Sequence, residues 1–272
     1  MKAFAIARLE LLIARRNMWV ATSVILMALF TFVLTLAGAA PTGTLGADPL
    51  TVAATSVTTL SVYLIPLIGL LLSFDAIAGE AERGTLALGL TYPLSRREIL
   101  LGKFAAHLGV LAVAVGIGLL VMVGLILWRH GLGGLSPERP LQLFATSLAL
   151  GATFLGIGYC VSALVRRSAV ASGIVILIWL ICIVLYDLGL LGALIADKGG
   201  TFTKEIFPWL LAANPADAFR LINMPAETVS VLSSDLGATS GAVGMPAALS
   251  SLLLWPLLAL FSAWLVFRKL EP

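Results

Sequence analysis

Long apolar runs, separated by shorter polar segments, dominate the chain from end to end. A helix needs about 20 mostly apolar residues to cross the hydrocarbon core of a bilayer. Six runs meet this requirement: 18–38, 57–76, 104–127, 143–165, 170–191 and 247–267. They are continuous rather than alternating, and backbone polar groups in lipid must be bonded internally, so they predict helices and not barrel strands. The pattern predicts an all-α integral membrane protein with six transmembrane helices in a single domain, 1–272.

Lysine and arginine are concentrated on one side of these spans. The segments on that side hold 12 Lys plus Arg residues in 53 positions: 1–17, 77–103, 166–169 and 268–272. The segments on the other side hold 5 in 88 positions: 39–56, 128–142 and 192–246. Because cytoplasmic loops carry the excess of basic residues, the distribution predicts that both termini lie in the cytoplasm.

Composition supports the membrane assignment. The chain is 60% hydrophobic and 11% charged, with a mean hydropathy of +1.06, whereas soluble domains carry about 25% charged residues. The expected surroundings are therefore membrane lipid. The net charge is only +3, and the sequence has no basic stripe of the kind that binds nucleic acid, so we exclude that class of partner.

Charged residues return in one predicted cytoplasmic stretch, FDAIAGEAERGTLALGLTYPLSRREILLGK, at 74–103. Ser95 and Glu98 have the spacing of a capping box, in which each side chain bonds to the backbone of the other residue. This predicts a helix that begins at Ser95 and continues into the third span.

The first half of this stretch predicts a short helix that its glycines weaken. Glu80 and Arg83 have the i, i+3 spacing of an ion pair, and Glu82 is expected to stay available. The simplest interpretation is a solvated surface loop. Mixed charges beside small residues, in a loop longer than a connection requires, favour a docking surface instead.

Three parts of the stretch carry a resemblance: Glu-x-Glu-x-Gly-Thr-Leu from Glu80, then Tyr-Pro-Leu-Ser from Tyr92, then Ile-Leu-Leu-Gly-Lys from Ile99. The stretch resembles the segment between the second and third spans of ABC-2 type permeases, the membrane subunits of ATP-binding-cassette transporters. The resemblance extends over the chain and implies an ABC-2 (type V) exporter-like permease. It implies that 74–103 contains a coupling helix that docks on a separate cytoplasmic ABC ATPase. The residues that the resemblance assigns to this docking are Glu80, Glu82, Arg83, Gly84 and Thr85.

A second contact with the ATPase is predicted at Arg166 and Arg167, in the four-residue turn between the fourth and fifth spans. Both would then lie on the same side of the membrane as the coupling segment. An equally simple interpretation is that the two arginines only anchor the topology.

The long extracytoplasmic loop, 192–246, contains signals for short helices. Asn214 followed by a proline and, two residues later, Asp217 predicts a capped helix start. The apolar residues of the loop must be buried, either as a gate at the outer mouth or against an extracytoplasmic partner. We expect Phe207, Trp209, Leu210 and Phe219 to face inward, and Asp217 and Arg220 to lie nearer the partner.

Asp187 is the acidic residue that lies furthest inside a predicted span. Acidic residues within membranes are candidates for function. Because Asp187 is close to the outer end of its span, a contact with the outer loop or a water-facing cap is the simpler interpretation.

A narrower resemblance rests on YDLGLLGAL at 186–194 and FPWLLAANPADAFRLINM at 207–224. These segments resemble the ABC-2 permeases that serve copper-site maturation in nitrous oxide reductase. The resemblance implies a bacterial inner-membrane protein with two partners, the cytoplasmic ATPase and a periplasmic right-handed β-helix protein. It implies export of a sulfur species or participation in copper delivery. Export of another substrate, such as a lipid, a drug or a polysaccharide, remains the alternative.

The chain has no G-x-x-x-x-G-K-[ST] motif, so ATP and Mg are expected on the partner ATPase and no cofactor on this chain.

Six spans make a small translocator, which favours a homodimer. Cys160 and Cys182 differ in predicted depth by about 10 Å, so they cannot share one ion, and no metal site is expected. A secondary transporter would require more polar residues at the bilayer midplane than these spans contain. An intramembrane enzyme would require a catalytic cluster, and the sequence does not suggest one.

Overall fold

The structure is a computed structural model that describes residues 2–14, 18–38, 49–91, 94–131, 137–198, 200–224 and 240–270. Within these ranges every regular element is a helix, as predicted. The helices in the first half of the chain are α1 Lys2–Ala14, α2 Met18–Gly38, α3 Pro49–Ser73, α4 Asp75–Glu82, α5 Thr85–Thr91 and α6 Arg96–His130. The remaining helices are α7 Glu138–Leu164, α8 Ser168–Trp179, a π-helix Leu180–Leu185, α9 Tyr186–Asp197, a second π-helix Phe202–Ile206, α10 Phe207–Ala213, α11 Pro215–Asn223 and α12 Ser240–Phe267.

Five stretches of the described residues are long and apolar enough to cross a membrane: Leu50–Glu82, Arg96–Arg129, Glu138–Leu164, Ser168–Asp197 and Met245–Phe267. A shorter apolar stretch, Ala21–Leu36, lies within α2. The second span was predicted to begin at residue 57, but α3 begins at Pro49. The long outer loop also ends earlier than predicted, because α12 begins at Ser240; residues 225–239 of that loop lie outside the described residues.

Helix α7 is the centre of the bundle, because it packs against both α3 and α12 and also contacts α6. Glycines allow these close approaches. A Cβ atom on Gly158 would lie 2.0 Å from the Ser73 hydroxyl oxygen of α3, and one on Gly156 would lie 2.7 Å from Ala259 Cβ of α12. Side chains at these two positions would push α3 and α12 away from α7.

Charged segments lie at both ends of this bundle. We call the end that carries α4 and α5 the inner end, and the end that carries α10 and α11 the outer end. A separate apolar cluster stabilises the inner end, and its fully buried members include Tyr159 of α7 and Phe267 of α12. Burial of one aromatic side chain contributes about 2–3 kcal/mol.

The predicted helix start at Ser95 is confirmed. The Ser95 hydroxyl accepts a hydrogen bond from the backbone N–H of Glu98 (3.2 Å), and the Glu98 carboxylate accepts one from the backbone N–H of Ser95 (2.8 Å). These bonds satisfy two N–H groups that have no partner inside the helix.

Candidate functional site

Helix α4, the core of the predicted coupling segment, is attached to α7. The backbone N–H groups of Ile77 and Ala78 both donate to the Ser162 hydroxyl oxygen, each over 2.9 Å. Ile77 and Ala78 are buried against the inner end of the bundle. A serine of the central helix therefore satisfies the first turn of α4 and fixes its position.

Helix α4 is also attached to the turn between α7 and α8. The backbone N–H of Ser168 donates to Glu82 Oε2 over 2.9 Å, and the Ser168 hydroxyl donates to Asp75 Oδ1. Asp75 in turn pairs with Arg83 at 3.5 Å. The structure thus brings together the two segments that the sequence predicted separately as ATPase contacts. We call α4, α5 and residues 165–168 the inner platform.

The solvent-facing part of the inner platform is centred on the turn between α4 and α5. Gly84 has φ +71°, a left-handed conformation that favours glycine. Arg83, Gly84 and Thr85 are exposed, and Leu88 on α5 is 66% exposed. Arg166 and Arg167, in the neighbouring turn, are exposed as well.

The prediction that Glu80 pairs with Arg83 is wrong, because Glu80 Oε1 lies 2.7 Å from Lys103 Nζ of α6. Lys103 Nζ also forms an ion pair with Glu10 of α1. Glu82 is exposed, and its Oε2 accepts the bond from Ser168 described above. A contact of Glu82 with the ATPase stays a prediction.

We call Glu10, Glu80 and Lys103 the inner triad. The Lys103 side chain is 7% exposed, whereas those of Glu10 and Glu80 are 15% and 27% exposed. Three helices that are distant in the sequence, α1, α4 and α6, are therefore joined through one buried ammonium group. Sequence reasoning missed this role of Lys103; one signal for it is that Glu10 is the single acidic residue among the first 17.

At the outer end, the predicted helix start at Asn214 is confirmed. Asn214 Oδ1 accepts a hydrogen bond from the backbone N–H of Ala216 (2.9 Å), and Pro215 occupies the first helical position of α11. The Asn214 amide also donates to the carbonyl oxygen of Cys182 over 3.0 Å. Cys182 lies in the first π-helix, whose altered bonding is a common feature of functional segments. The same side chain therefore caps α11 and binds the fifth predicted span.

A second charged cluster joins α9 to α11. Arg220 Nη2 lies 2.9 Å from Asp187 Oδ2, and Arg220 Nη1 lies 2.6 Å from Asp217 Oδ1. We call these three residues the outer triad. Asp187 makes the contact with the outer segment that the simpler interpretation expected.

Asp217 is buried, with 2% of its side chain exposed, so the expectation that it lies nearer a partner is wrong. Its Oδ2 atom has no hydrogen-bond partner among the described residues. Burial raises the pKa of the Asp217 carboxyl to about 7; Arg220 opposes this shift and Asp187 adds to it.

The apolar residues predicted to face inward are divided. Phe219 is fully buried, and Phe207 and Leu210 are partly buried. The carbonyl oxygen of Leu210 accepts a hydrogen bond from the Tyr186 hydroxyl (2.7 Å). Trp209 departs from the prediction, because it is 59% exposed in this chain. Its neighbours pack on the bundle, whereas Trp209 points away from it.

A cavity of about 230 Å3 opens at the outer end between α3, α7, α11 and α12. Its polar lining comes from Thr58, Arg139, Gln142 and Asn223. Two thioether side chains that are distant in the sequence also line it, Met224 and Met245.

Comparisons with known proteins place the sequence of this chain in a family. The family model for ABC-2 family transporter proteins matches residues 4–271. The chain is 36% identical over 278 residues to a probable ABC transporter permease protein NosY from Stutzerimonas stutzeri, with 97% of both chains covered. It is also 36% identical over 274 residues to a probable ABC transporter permease protein NosY from Pseudomonas aeruginosa, with 98% of both chains covered. The chain therefore belongs to the ABC-2 family of transporter permeases and is a multi-pass membrane subunit of that kind.

Proposed function

We propose that the chain forms a homodimeric exporter in the bacterial inner membrane and is driven by a separate cytoplasmic ABC ATPase, which holds the ATP and Mg. The observation that carries this proposal is the inner platform. Ser168 joins α4 to the α7–α8 turn through Glu82 and Asp75. A rigid surface made from two loops is the structure that a permease needs to receive force from a partner.

The proposed topology has six transmembrane helices and both termini in the cytoplasm. Helix α2 supplies a span in addition to the five longer stretches, because its 21 residues are sufficient to cross the bilayer. The inner platform then faces the cytoplasm, in agreement with the excess of basic residues in its loops.

A second copy of the chain is the proposed partner within the membrane. Only 17% of the most apolar part of Ser168–Asp197 is buried within the chain. An uncovered helix of this kind packs against either lipid or another protomer. A translocation path on the symmetry axis of a dimer would use both copies equally.

The likeness to NosY supports a narrower proposal for the cargo. We propose export of a sulfur species, or a role in copper delivery, for copper-site maturation of nitrous oxide reductase during denitrification. The partners would be a NosF-like ATPase and a NosD-like periplasmic β-helix protein. The outer cavity suits either cargo. Arg139 offers positive charge to an anionic sulfur species, and Met224 and Met245 offer soft sulfur ligands to copper. An ABC-2 permease for another substrate is the alternative.

Docking is tested by co-expressing the chain with its ATPase and measuring co-purification and ATP hydrolysis. The test variant is Arg83→Glu with Leu88→Asp, since both side chains are exposed and neither belongs to the inner triad. We expect loss of ATPase binding with normal membrane insertion. Arg129→Glu, at the exposed outer end of α6, is the matched control and should bind the ATPase normally. Normal binding by the double variant would remove the docking role of the platform.

The cargo is tested by complementation. A host that lacks its own NosY receives this chain together with the matching ATPase and β-helix protein, and the copper content of its nitrous oxide reductase is measured. Restoration of the copper site supports the narrower proposal. A chain that binds and stimulates its ATPase but leaves the reductase without its copper site would favour the alternative cargo.

A further inference from the structure

Basic and aromatic side chains gather where α6 begins and α12 ends, at the inner end of the bundle. Arg96 Nη1 donates to the carbonyl oxygen of Phe267 over 2.8 Å and also to that of Leu270. Its guanidinium carbon lies 5.7 Å from the centre of the Phe267 ring. Arg96 therefore satisfies carbonyl groups at the end of α12, where the helix dipole favours a cation.

Two other guanidinium groups lie over a single indole ring. The guanidinium carbons of Arg97 and Arg268 are 4.5 Å and 5.1 Å from the centre of the Trp264 ring. Both arginines are exposed, as is the adjacent Lys269. We call Arg97, Trp264, Arg268 and Lys269 the arginine–tryptophan patch.

The two arginines of this patch are oriented by an aromatic ring. Among the described residues, no Asp or Glu forms a salt bridge with Arg97, Arg268 or Lys269. The acid next to Arg97 in the sequence, Glu98, already accepts bonds from the backbone N–H and the hydroxyl of Ser95, and Glu271 lies outside the described residues. Since a guanidinium group that stacks on a ring keeps its N–H groups in its own plane, these groups can still bind an anion.

The patch adjoins an apolar surface that continues along α12. Phe261 packs against Trp264, with ring centres 5.6 Å apart, and is 56% exposed. One turn further along α12, Leu257 is 65% exposed. A ligand for this whole surface therefore needs an anionic group at the patch and an apolar chain that extends into the bilayer.

We infer that the arginine–tryptophan patch binds the phosphate of an anionic phospholipid, with the acyl chains lying along the exposed face of α12. Arginine forks match phosphate oxygens in a bidentate manner. Tryptophan is suited to the boundary between head groups and hydrocarbon. Basic groups at the cytoplasmic membrane surface attract anionic lipids. The inference rests on the proposed topology, which puts this end of α12 at the cytoplasmic leaflet.

A topology anchor would require only positive charge, whereas this site also requires the guanidinium fork and the indole ring. The test uses the full chain in detergent, without ATPase, and native mass spectrometry to count bound dioleoyl-phosphatidylglycerol or dioleoyl-phosphatidylcholine. We expect the wild-type chain to retain phosphatidylglycerol preferentially. Arg97→Gln with Arg268→Gln should weaken phosphatidylglycerol binding by roughly tenfold or more and leave phosphatidylcholine binding unchanged.

Two further variants keep the test decisive if this double variant folds poorly. Arg97→Lys with Arg268→Lys keeps the charge but removes the fork, and Trp264→Leu keeps both arginines but removes the ring. Each should also lose phosphatidylglycerol selectively. Phosphatidylglycerol binding at the wild-type level in the lysine variant would show that positive charge alone is sufficient and would overturn the proposed lipid site.

The matched control is Arg129→Gln with Lys198→Gln, which removes two exposed cations from the outer end. It should bind phosphatidylglycerol like the wild type; an equal loss there would show a general charge effect and overturn the inference. Normal lipid binding by the Arg97→Gln, Arg268→Gln variant, together with lost ATPase binding, would assign the patch to an acidic protein surface instead. Because bound lipid is counted in the absence of the ATPase, the lipid result can be interpreted even if the ATPase does not dock on the inner platform.

Discussion

The inner and outer triads have the same charge pattern but opposite patterns of burial. Each places one basic group between two carboxylates, Lys103 in the inner triad and Arg220 in the outer triad. In the inner triad the cation is the most buried member, with 7% of its side chain exposed. In the outer triad an acid, Asp217, is the most buried at 2%, whereas the Arg220 side chain is 22% exposed.

This difference in burial predicts different sensitivities at the two ends, to loss of the cation at the inner end and to pH at the outer end. A lysine nitrogen is a compact point charge, and here it contacts the carboxylates of both α1 and α4 from its position on α6. The arginine fork instead divides its two Nη atoms between α9 and α11. The inner triad therefore depends on its cation, whereas the outer triad contains a buried acid whose charge depends on pH.

The largest expected effect is at the inner triad. Lys103→Met would leave two carboxylates facing each other at a partly buried site, and loss of one partner of a buried ion pair costs about 3–5 kcal/mol. We expect a clear fall in the unfolding midpoint measured in detergent, together with loss of stimulated ATP hydrolysis. Lys269→Met, which removes an exposed lysine from the same end, is the control and should change the midpoint little.

A triple variant separates charge from shape in the inner triad. Lys103→Met with Glu10→Gln and Glu80→Gln removes the whole charged cluster, and such replacements are often neutral. The midpoint should therefore return toward that of the wild type. A triple variant as unstable as Lys103→Met alone would show that packing of the lysine stem, and not its charge, holds α1 and α4.

The corresponding change at the outer end is expected to be smaller. Arg220→Met leaves Asp187 and Asp217 without their shared cation, but Asp187 is 31% exposed and water can solvate it. A lost bond between charged groups costs about 2 kcal/mol, or roughly 30-fold in the opening equilibrium. The reporter is Ala218→Cys, a fully buried position, in a background without Cys160 and Cys182. Labelling by a polar maleimide should accelerate in Arg220→Met and not in Arg129→Met.

The contrast also explains what the sequence could predict. The helix starts at Ser95 and Asn214 were predictable because their signals lie within three or four residues of each other. The triads were not, because Lys103 and Glu10 are 93 positions apart, and Arg220 and Asp187 are 33 apart. Glu80 in particular has a local partner available in Arg83, and only the packing of α4 on α7 and α8 places its carboxylate beside Lys103 instead.

Burial in the outer segment could be predicted only in part, because the apolar character of Phe219 and Trp209 is equal evidence for an inward position. Phe219 lies on the face of α11 that packs on the bundle, whereas Trp209 lies on the preceding helix, α10, and is exposed. Polar residues mislead more strongly, as Asp217 shows: its charge predicts exposure, whereas Arg220 on the next turn of the same helix allows burial.

A medium effect is expected at the two capped helix starts. Asn214→Ala removes a cap worth about 1 kcal/mol and also the bond from its amide to the Cys182 carbonyl. Asn214→Ser keeps a capping oxygen but has no amide to donate to that carbonyl. Ser95→Ala at the inner end removes a cap that solvent can partly replace, because Ser95 is exposed. The expected order of destabilisation, measured by unfolding midpoints, is Asn214→Ala first, followed by Asn214→Ser and Ser95→Ala; equal values at both ends would contradict it.

The smallest expected effect is a pH dependence confined to the outer end. The pKa of the Asp217 carboxyl is raised from an ordinary value of 3.8 to about 7, chiefly by burial, while Arg220 opposes and Asp187 adds to the shift. The folded outer segment therefore binds the proton more tightly than the unfolded chain does. The stabilisation of the folded segment by this proton is therefore complete at low pH and is lost as the pH rises through about 7.

The labelling rate of Ala218→Cys should therefore increase from pH 6 to pH 8. Part of this increase comes from ionisation of the thiol itself. Leu188→Cys measures that part alone, because position 188 is exposed and its labelling does not require the segment to open. The increase at Ala218→Cys should exceed that at Leu188→Cys. Asp217→Asn keeps an acceptor for Arg220 but cannot ionise, so it should remove the excess dependence. An unchanged excess in Asp217→Asn would show that a group other than Asp217 causes the pH dependence.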